Sequence, residues 1–487
     1  MTTKIDRGTL VSRLREIVGP AQVLARPEDL VVYEQDACLV ARAAPDLAVL
    51  PDSADQVAGI VALARRAGIP LVPRGAGTGL NGGSIPVAGG VMLVLTRMNR
   101  ILELSPRDRL AVVEPGVVNG DLTVAASRHG LFYAPDPGSQ GASTIGGNVG
   151  NNAGGPHCLA YGVTGNHVLE LEVVLPSGEI VVVGSPAVDA PGYDLAGLLV
   201  GSEGTLGIIT RITVRLLRSA EAAGTLLAAF DTIEDASQTV SEIIAAGIVP
   251  TAMEMIDGTV IRAVEAAIRA GYPEDAGAVL LIDVEGHVEV VPRTLARIRE
   301  IAARHAPRQL RAAETPDDRE RLWKGRKEGV GALGRLAPAY YLQDGVVPRT
   351  RLPEVMRRVA EIARAFDLVI GNIFHAGDGN LHPTILFDPT RPGMLEQVIA
   401  AGEEILKACV ACGGSITGEH GVGIEKRDYM RWLFTDADLE AMGRVKAAFD
   451  PEGLLNPEKL LPPPAAASSP GRVASEDSGR PQVAGRS

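Results

Sequence analysis

The run of residues 137–155, PGSQGASTIGGNVGNNAGG, sets the architecture of this chain. Glycine fills seven of its last eighteen positions, and small, hydroxyl and amide side chains fill most of the others. Glycine has no Cβ, so another group can approach the backbone closely and accept hydrogen bonds from free N–H groups. The composition therefore favours packing against a large, planar, polar ligand.

Two shorter glycine-rich segments accompany this run. Residues 73–79, PRGAGTG, follow a predicted strand, and residues 201–210 read GSEGTLGIIT. Successive glycines let several N–H groups converge on an anion, and Arg74 adds a positive charge. Each segment alone is compatible with a tight turn in a β-rich region. Together, the three segments predict a phosphate-bearing cofactor spread across one domain.

The composition disfavours several classes of protein. The net charge of −12 argues against nucleic acid or an anionic membrane as a partner. Four cysteines in 487 residues cannot form a disulfide framework, which is typical of a reduced protein. The first twenty residues lack the apolar run of a secretory signal, and no window of about 18 uncharged apolar residues predicts a membrane span. We therefore expect a cytoplasmic location.

The pattern of elements predicts an α+β chain with a boundary near residues 219–224. We expect a cofactor-binding domain over 1–220, a helix-richer domain over 221–440, a returning segment over 441–463 and a disordered tail over 464–487. Helices are predicted over 55–68, 353–366 and 396–412. Strands are predicted over 69–72, 91–95, 168–175, 180–183, 368–374 and 383–387.

Two motifs look functional but have ordinary explanations. Residues 77–82, GTGLNG, match the dinucleotide fingerprint, yet Gly83, Pro86 and Gly89 follow, so no helix can begin in time to face a pyrophosphate. NAD therefore has little support. Cys409 and Cys412 form a C-x-x-C pair at the end of a predicted helix, and no second pair completes a zinc site. We interpret them as small buried side chains.

Two histidines lie in residues 375–382, HAGDGNLH. The dipeptide Asp378-Gly379 favours a two-residue type I′ hairpin turn. With that turn, His375 and His382 pair directly on one face, and their Cβ atoms lie about 4.5–5.5 Å apart. Such a pair suits one metal ion, but a purely structural role at the strand ends is an equal alternative.

A third candidate ligand comes from residues 417–423, TGEHGVG. Glu419 supplies a carboxylate and His420 another imidazole on a glycine-rich loop. Two histidines and one carboxylate leave coordination positions open for water or substrate, as a catalytic metal requires. Spacing alone does not decide between this site and the structural alternative.

The glycine-rich segments resemble the flavin-binding domain of the vanillyl-alcohol oxidase (PCMH-type) family. Residues 446–457, KAAFDPEGLLNP, resemble the family's C-terminal segment that returns to the flavin. The resemblance covers nearly the whole chain. It implies FAD and a PCMH-type FAD-binding domain followed by an α+β substrate (cap) domain with an antiparallel sheet. It implies that FAD contacts Arg74, Gly75, Ala76, Gly77, Thr78, Gly79, Pro137, Gly138, Ser139, Ser143, Gly146, Gly147, Asn148, Asn151, Ala153, Gly154, Gly162, Glu203, Gly204, Gly207, Ile208, Ile209 and Asn456.

The histidine-bearing region resembles the FAD-dependent D-2-hydroxy acid dehydrogenases. This group includes D-lactate dehydrogenase, D-2-hydroxyglutarate dehydrogenase and one of the subunits of glycolate oxidase. The resemblance implies a divalent metal, commonly zinc, held by His375, His382 and Glu419, with His420 as the catalytic base. Arg326 matches the group's arginine for the substrate carboxylate, a task that suits a bidentate guanidinium. The alternative for Arg326 is a surface residue in a charged helix.

Two departures from the group narrow the substrate. The D-2-hydroxyglutarate enzymes carry a Thr four residues after this arginine and a Lys in a later Tyr-rich segment. Val330 and residues 340–344, YYLQD, stand here instead. We therefore expect oxidation of a small D-2-hydroxy acid, glycolate or D-lactate, to the 2-oxo acid, with hydride passing from C2 to the flavin.

The same resemblance bears on partners and on alternatives. Likeness to the glycolate oxidase group implies FAD-binding and iron–sulfur companion subunits. Three other interpretations stay open from the residues: a D-2-hydroxyglutarate-type dehydrogenase, a metal hydrolase that uses the histidine site, and a non-catalytic flavin-binding subunit.

Overall fold

A computed structural model of the chain describes residues 5–187 and 191–464. The tail predicted over 464–487 lies, from residue 465 onward, outside the described residues. The α-helices are Arg7–Val18, Pro27–Leu30, Ala54–Ala67, Asn119–Ser127, Ile145–Asn151, Cys158–Tyr161, Leu195–Leu199, Ile233–Ala245, Gly258–Ile268, Val290–Ala303, Pro316–Lys327, Gly329–Leu333, Leu352–Ala365, Met394–Ala411, Met430–Leu433 and Asp436–Phe449. Within the described residues, no helix is long and apolar enough to cross a membrane.

The first half of the chain builds two larger sheets and a short strand pair. One sheet has the order Val23–Leu24, Leu47–Val49, Val91–Val94 and Leu71–Arg74, and its last three strands are parallel. The other is antiparallel, with the order Ile101–Ser105, Leu110–Val113, Ile208–Arg215, Val168–Val174 and Ile180–Gly184. The short pair joins Leu131–Phe132 to Leu217–Arg218.

The second half forms one antiparallel sheet with helices on both faces. Its path runs through Gln309–Ala312, Ala222–Phe230, Ala278–Gly286, Ala252–Asp257, Val369–His375, Asn380–Leu381 and Gly345–Val346. Pro383–Phe387 also pairs with Val369–His375 and carries Ala339–Leu342 at its other edge. Side chains alternate between the faces: Leu226 and Phe230 enter one core, and Leu227 enters the other. Both faces are therefore buried.

The predicted elements are confirmed to within about two residues. The helix predicted over 55–68 is Ala54–Ala67. Ser53 accepts a hydrogen bond from the Gln56 N–H at its start, and Gly68 ends it with a φ of 62°. The strand predicted from residue 69 begins later, because the Ile69 N–H still bonds the helix carbonyl of Ala64 at 2.9 Å.

The structure also fits the ordinary explanations for the 77–82 motif and for the Cys409 and Cys412 pair. No α-helix begins between the 77–82 motif and Asn119–Ser127 in this part of the described chain. Cys409 is buried and Cys412 half-buried at the end of Met394–Ala411, and both are free thiols.

Candidate active site

A cavity of about 640 Å³ connects the two halves of the chain. Its wall combines residues of all three glycine-rich segments with the five predicted metal-binding and catalytic residues from the second half. These five are Arg326, His375, His382, Glu419 and His420. The three glycine-rich segments, called the cofactor cradle below, and this cluster of five residues therefore line the same cavity.

Most of the predicted cofactor residues line this cavity, and two do not. The lining includes Arg74, Gly75, Ala76, Gly77, Thr78, Gly79, Pro137, Gly138, Ser139, Ser143, Gly146, Gly147, Asn148, Asn151, Ala153, Gly154, Glu203, Gly204, Gly207, Ile208 and Ile209. Gly162 instead ends the short helix Cys158–Tyr161 with a φ of 79°. Asn456 donates from Nδ2 to the carbonyls of Gly83 at 2.8 Å and Glu203 at 2.7 Å. Asn456 thus fastens the returning segment to two of the cavity loops.

The Arg74 guanidinium lies across Gly77 of the first glycine-rich segment and bonds to residues outside that segment. Its Nη2 donates to the carbonyl of Gln35 at 2.9 Å, and its Nη1 donates to Ser84 Oγ at 3.2 Å. Gly77 has a φ of 74°, and a Cβ there would lie 2.1 Å from Arg74 Nη2. Glycine is therefore required at residue 77, because the guanidinium crosses directly over it.

The middle of the 137–155 run forms the helix Ile145–Asn151, which the sequence did not predict. Thr144 begins this helix by accepting a hydrogen bond from the Gly147 N–H at 3.3 Å. Gly146 packs against Pro115, where an added Cβ would lie 2.5 Å from the proline Cβ. Helix propensity disfavours glycine by about 1 kcal/mol per residue, so tertiary packing outweighs local preference here.

Two residues of the cradle also hold the loop that carries Glu419 and His420. Asn151 Nδ2 donates to the His420 carbonyl at 2.9 Å. The Glu203 carboxylate accepts from the N–H groups of Val422 at 2.7 Å and Gly423 at 2.8 Å. Burial raises the pKa of Glu203 to about 7, against the lowering effect of these donors. The cofactor end of the cavity and the catalytic loop are thus directly connected.

The predicted histidine hairpin has the wrong register, but the two rings still meet. His375 pairs with Asn380 rather than with His382, and Asn372 pairs with Pro383. The turn is longer than two residues because only Gly379 has a positive φ, whereas a type I′ turn needs two such residues. The shift moves the pairing by two positions, which keeps both histidines on one face. Their ring centroids lie 5.0 Å apart.

Glu419 lies between the two hairpin histidines. Its Oε1 is 3.2 Å from His375 Nε2 and 3.1 Å from His382 Nε2. The ligand atoms of these three residues all lie within 4.8 Å of one another. Glu419 Oε2 is buried without a hydrogen-bond partner among the described residues. These three side chains fit a divalent cation, which would bind the unpartnered Glu419 Oε2 and both imidazoles.

Asp344 holds the backbone of the loop that carries Glu419 and His420. Its fully buried carboxylate accepts from the Thr417 hydroxyl at 2.5 Å, from the N–H groups of Gly418 and His420 at 3.0 Å, and from Lys426 Nζ at 3.3 Å. Several donors converge on one acceptor, so the backbone that aims Glu419 and His420 has little freedom. Asp344 was not among the site residues predicted from the sequence.

His420 completes the cluster. Its ring stacks on that of His382 with centroids 5.0 Å apart and an interplanar angle of 9°. Its Nε2 lies 3.9 Å from Glu419 Oε1. Burial lowers the pKa of His420 to about 4, despite the opposing effect of Asp344. The imidazole is therefore neutral at neutral pH and able to accept a proton.

Arg326 is buried beside the histidines. Its Nη2 lies 2.5 Å from Glu254 Oε2, and His375 Nδ1 lies 2.8 Å from Glu254 Oε1. The surface alternative for Arg326 is therefore wrong, since only 9% of the residue is exposed. Glu254 was not predicted either, although a carboxylate flanked by Met253 and Met255 in a largely apolar strand is an available signal.

Charges within the cluster compensate each other. Burial opposes ionisation of His375, but Glu254 and Glu419 together raise its pKa well above the ordinary value. Burial likewise disfavours the charged form of Glu419, yet His375 and His382 hold its pKa well below the usual range. Burial also opposes ionisation of Asp344, but His420 and Lys426 outweigh it and lower the pKa of that carboxyl.

Another cluster of possible metal ligands consists of His157, Asp283 and Glu285, and its two carboxylates are already paired with the guanidinium of Arg319. Arg319 forms ion pairs with Asp283 and, at 3.3 Å, with Glu285. His157 Nδ1 lies 2.8 Å from Asp136 Oδ2. These contacts make the cluster a junction between the two halves of the chain.

A glycine-rich wall and a buried cluster of histidine, carboxylate and arginine side chains thus face one cavity. The chain belongs to the FAD-linked oxidase family. Residues 45–184 match the model of its FAD binding domain, and residues 219–460 match the C-terminal domain of FAD linked oxidases.

Three similar proteins extend the comparison. The glycolate oxidase subunit GlcD of Escherichia coli is 45% identical over 458 residues, which cover 94% of this chain and 92% of the relative. A D-lactate dehydrogenase of Anaerostipes hadrus is 32% identical and covers 93% of this chain and 97% of its own. The crystal structure of p-cresol methylhydroxylase superposes with a TM-score of 0.79 at 18% identity, over 94% of this chain and 97% of that one. This last likeness confirms the expected PCMH-type fold.

Proposed function

We propose that this chain oxidises a small D-2-hydroxy acid, glycolate or D-lactate, to the corresponding 2-oxo acid. The observation that carries the proposal is the single cavity that joins the glycine-rich cradle to His375, His382, Glu419, His420 and Arg326. The names of the E. coli and A. hadrus relatives support the same substrate class. The family match disfavours a metal hydrolase, which would leave the cradle without a purpose.

The site is suited to two bound groups. FAD would lie along the glycine-rich segments, and His375, His382 and Glu419 would hold a divalent metal. Zinc is the first choice for two histidines and a carboxylate, although iron and manganese accept the same ligands. When bound, FAD supplies a two-electron acceptor for the C2 hydrogen, and the metal supplies a Lewis acid that lowers the pKa of the substrate hydroxyl.

The chain's own residues orient the substrate and move the proton. His420, neutral and held by Asn151 and Asp344, accepts the hydroxyl proton at a ring nitrogen. Arg326 binds the substrate carboxylate. Its Nε–H is buried with no partner among the described residues, so an incoming carboxylate would satisfy a donor that is otherwise unpaired. This contact turns C2 toward the flavin.

The cavity wall in the second half carries both apolar and polar side chains. Val330, Leu342 and Ile373 line it, and so do Lys327 and Tyr340. A D-2-hydroxyglutarate-type reaction is therefore disfavoured only by the sequence departures at Val330 and residues 340–344.

The proposal extends to organisation and partners. We divide the chain into an FAD-binding domain over 1–220, a cap domain that carries the metal site over 221–440 and a returning segment over 441–463. The E. coli relative is named as a subunit, which supports companion subunits for this chain. We propose, from the resemblance alone, that these are FAD-binding and iron–sulfur subunits. A cytoplasmic location completes the proposal.

Two variants test the proposed roles separately. His420→Ala should keep its flavin band but lose reduction by substrate under anaerobic conditions. Full reduction of this variant would remove His420 from the mechanism. His375→Ala should lose bound metal, measured by elemental analysis of the flavin-loaded protein. An unchanged metal content would defeat the metal site and leave the flavin assignment intact.

A further inference from the structure

We propose that Glu254 is a positioning residue that aligns the metal ligand His375 and the substrate-binding Arg326 with each other. This inference rests on the proposed function, because it concerns the distance between the metal ligand His375 and the substrate-binding Arg326 of that site. Glu254 touches neither the cofactor cradle nor the Glu419 loop in the contacts found for its carboxylate. Its influence on the reaction would therefore act through its two neighbours.

The sheet places Glu254 directly beside His375. Strand Ala252–Asp257 runs antiparallel to Val369–His375, and Glu254 is the Cα partner of His375. Directly paired residues project from the same face of a sheet with neighbouring Cβ atoms. Met253 and Met255, on the opposite face, enter the apolar core. The register thus places the Glu254 carboxylate beside His375, on the face of the strand opposite to Met253 and Met255.

Glu254 fixes the orientation of the His375 ring. An ionised carboxylate only accepts hydrogen bonds, so His375 Nδ1, at 2.8 Å, carries the proton of this contact. In the neutral ring, the lone pair then lies on Nε2, the atom that faces Glu419 Oε1. Metal-binding histidines commonly gain their tautomer and ring orientation from such a partner.

The same carboxylate also holds Arg326. Its second oxygen lies 2.5 Å from Arg326 Nη2. A guanidinium is planar and rigid, so fixing one corner sets the direction of the others. Arg326 Nε–H has no partner among the described residues. Helix Pro316–Lys327 carries the arginine, and the sheet carries both other residues, so Glu254 sets the spacing between two separate elements.

A simpler role for Glu254 would be that of a counter-ion for a buried arginine. The two roles predict different results. A counter-ion would affect stability and leave the affinity for metal unchanged. A shared positioning residue would weaken metal binding and substrate binding together, because one carboxylate serves both.

The test uses flavin-loaded protein and the isosteric variant Glu254→Gln. Glutamine keeps the shape of the side chain but is neutral, and its single amide oxygen replaces two carboxylate oxygens as the acceptor for His375 and Arg326. Zn²⁺ affinity is measured by chelator competition, and oxalate binding by the perturbation of the flavin spectrum. The apparent Kd for substrate and the limiting rate are measured by anaerobic flavin reduction at several substrate concentrations. Asp257→Asn is the matched control, since Asp257 is buried on the same strand but bonds Val260 and Asn372 instead.

We expect Glu254→Gln to bind Zn²⁺ about 10- to 100-fold more weakly, the range typical of partners that orient a metal ligand. Oxalate affinity should fall and the apparent Kd for substrate should rise by about tenfold or more, the effect of losing a charged hydrogen bond. Asp257→Asn should match the wild type in all three. Unchanged Zn²⁺ and oxalate affinities in Glu254→Gln would overturn the inference, as would a loss of oxalate binding alone.

A second variant covers the case in which Glu254→Gln does not fold. Glu254→Asp retains the charge opposite Arg326 but withdraws the carboxylate by one methylene. We expect it to fold and to weaken Zn²⁺ and oxalate binding together, by smaller factors. A folded Glu254→Asp with wild-type affinities would also overturn the inference. Failure of the proposed function would appear separately, as a wild-type protein that binds no Zn²⁺ or is not reduced by any 2-hydroxy acid.

Discussion

Replacing Asp344 with asparagine should destabilise the second half of the chain strongly. The carboxylate is fully buried, and its partner Lys426 is only 1% exposed. Asparagine removes the charge and turns an amide N–H₂ group toward existing donors. Breaking a buried ion pair by removing one partner costs about 3–5 kcal/mol. For a domain of about 150–250 residues, each kcal/mol lowers the melting temperature by roughly 2–4 °C, so we expect a loss of roughly 6–20 °C.

The assay is thermal unfolding of flavin-loaded protein at one scan rate, followed by circular dichroism. Asp450→Asn is the matched control. Its partner Lys446 is 23% exposed and keeps the carbonyls of Thr205 at 2.6 Å and Leu455 at 3.0 Å as acceptors. Asp450→Asn should therefore lose about 1–2 kcal/mol. Equal losses in the two variants would refute the argument that Lys426 is left with an uncompensated charge.

Three further predictions follow from local geometry. Gly146→Ala should lower the flavin content, and its clash with the backbone of Pro115 should reduce the free energy of unfolding by about 1–3 kcal/mol. The control Gly443→Ala, on an open helix face, should leave the flavin content unchanged. Flavin content is measured by absorbance after gel filtration. Gly379→Ala adds a Cβ that would lie 2.1 Å from a backbone carbonyl at a φ of 84°, so it should cost about 1 kcal/mol or more in chemical denaturation and reduce metal content. Burial disfavours the charged form of His157, but Asp136 outweighs it and raises the pKa of this imidazole, with Glu285 and Asp283 adding to the effect. The stability that His157 contributes is therefore complete below its unfolded pKa of about 6.5 and is lost as pH rises through the higher folded value. The difference in melting temperature between wild type and His157→Asn should shrink from pH 6 to pH 9, and a constant difference would contradict this assignment.

Local patterns predicted three of the α-helices and six of the strands of the described chain. The helix Ala54–Ala67 is confirmed because its start signal, its apolar face and its terminal glycine all agree. The histidines meet despite the wrong register because side-chain direction in a strand has a period of two. A shift of the pairing by two residues therefore left both histidine side chains on the same face of the sheet.

Contacts between distant segments could not be predicted in the same way. Glu254 reaches His375 only through the pairing of two strands that are far apart in sequence. Asp344 reaches the loop of Glu419 across 75 residues. The helix Ile145–Asn151 was missed because glycine propensity argues against it, and only the packing on neighbouring segments explains it.

The most direct test of the account is the visible spectrum of the purified protein under anaerobic conditions, before and after the addition of one acid at a time. The acids are glycolate, D-lactate, L-lactate and D-2-hydroxyglutarate. We predict a flavin band that glycolate or D-lactate bleaches and that L-lactate and D-2-hydroxyglutarate do not. A flavin band that none of the four acids bleaches, with or without companion subunits, would contradict the proposed reaction while leaving the fold in place.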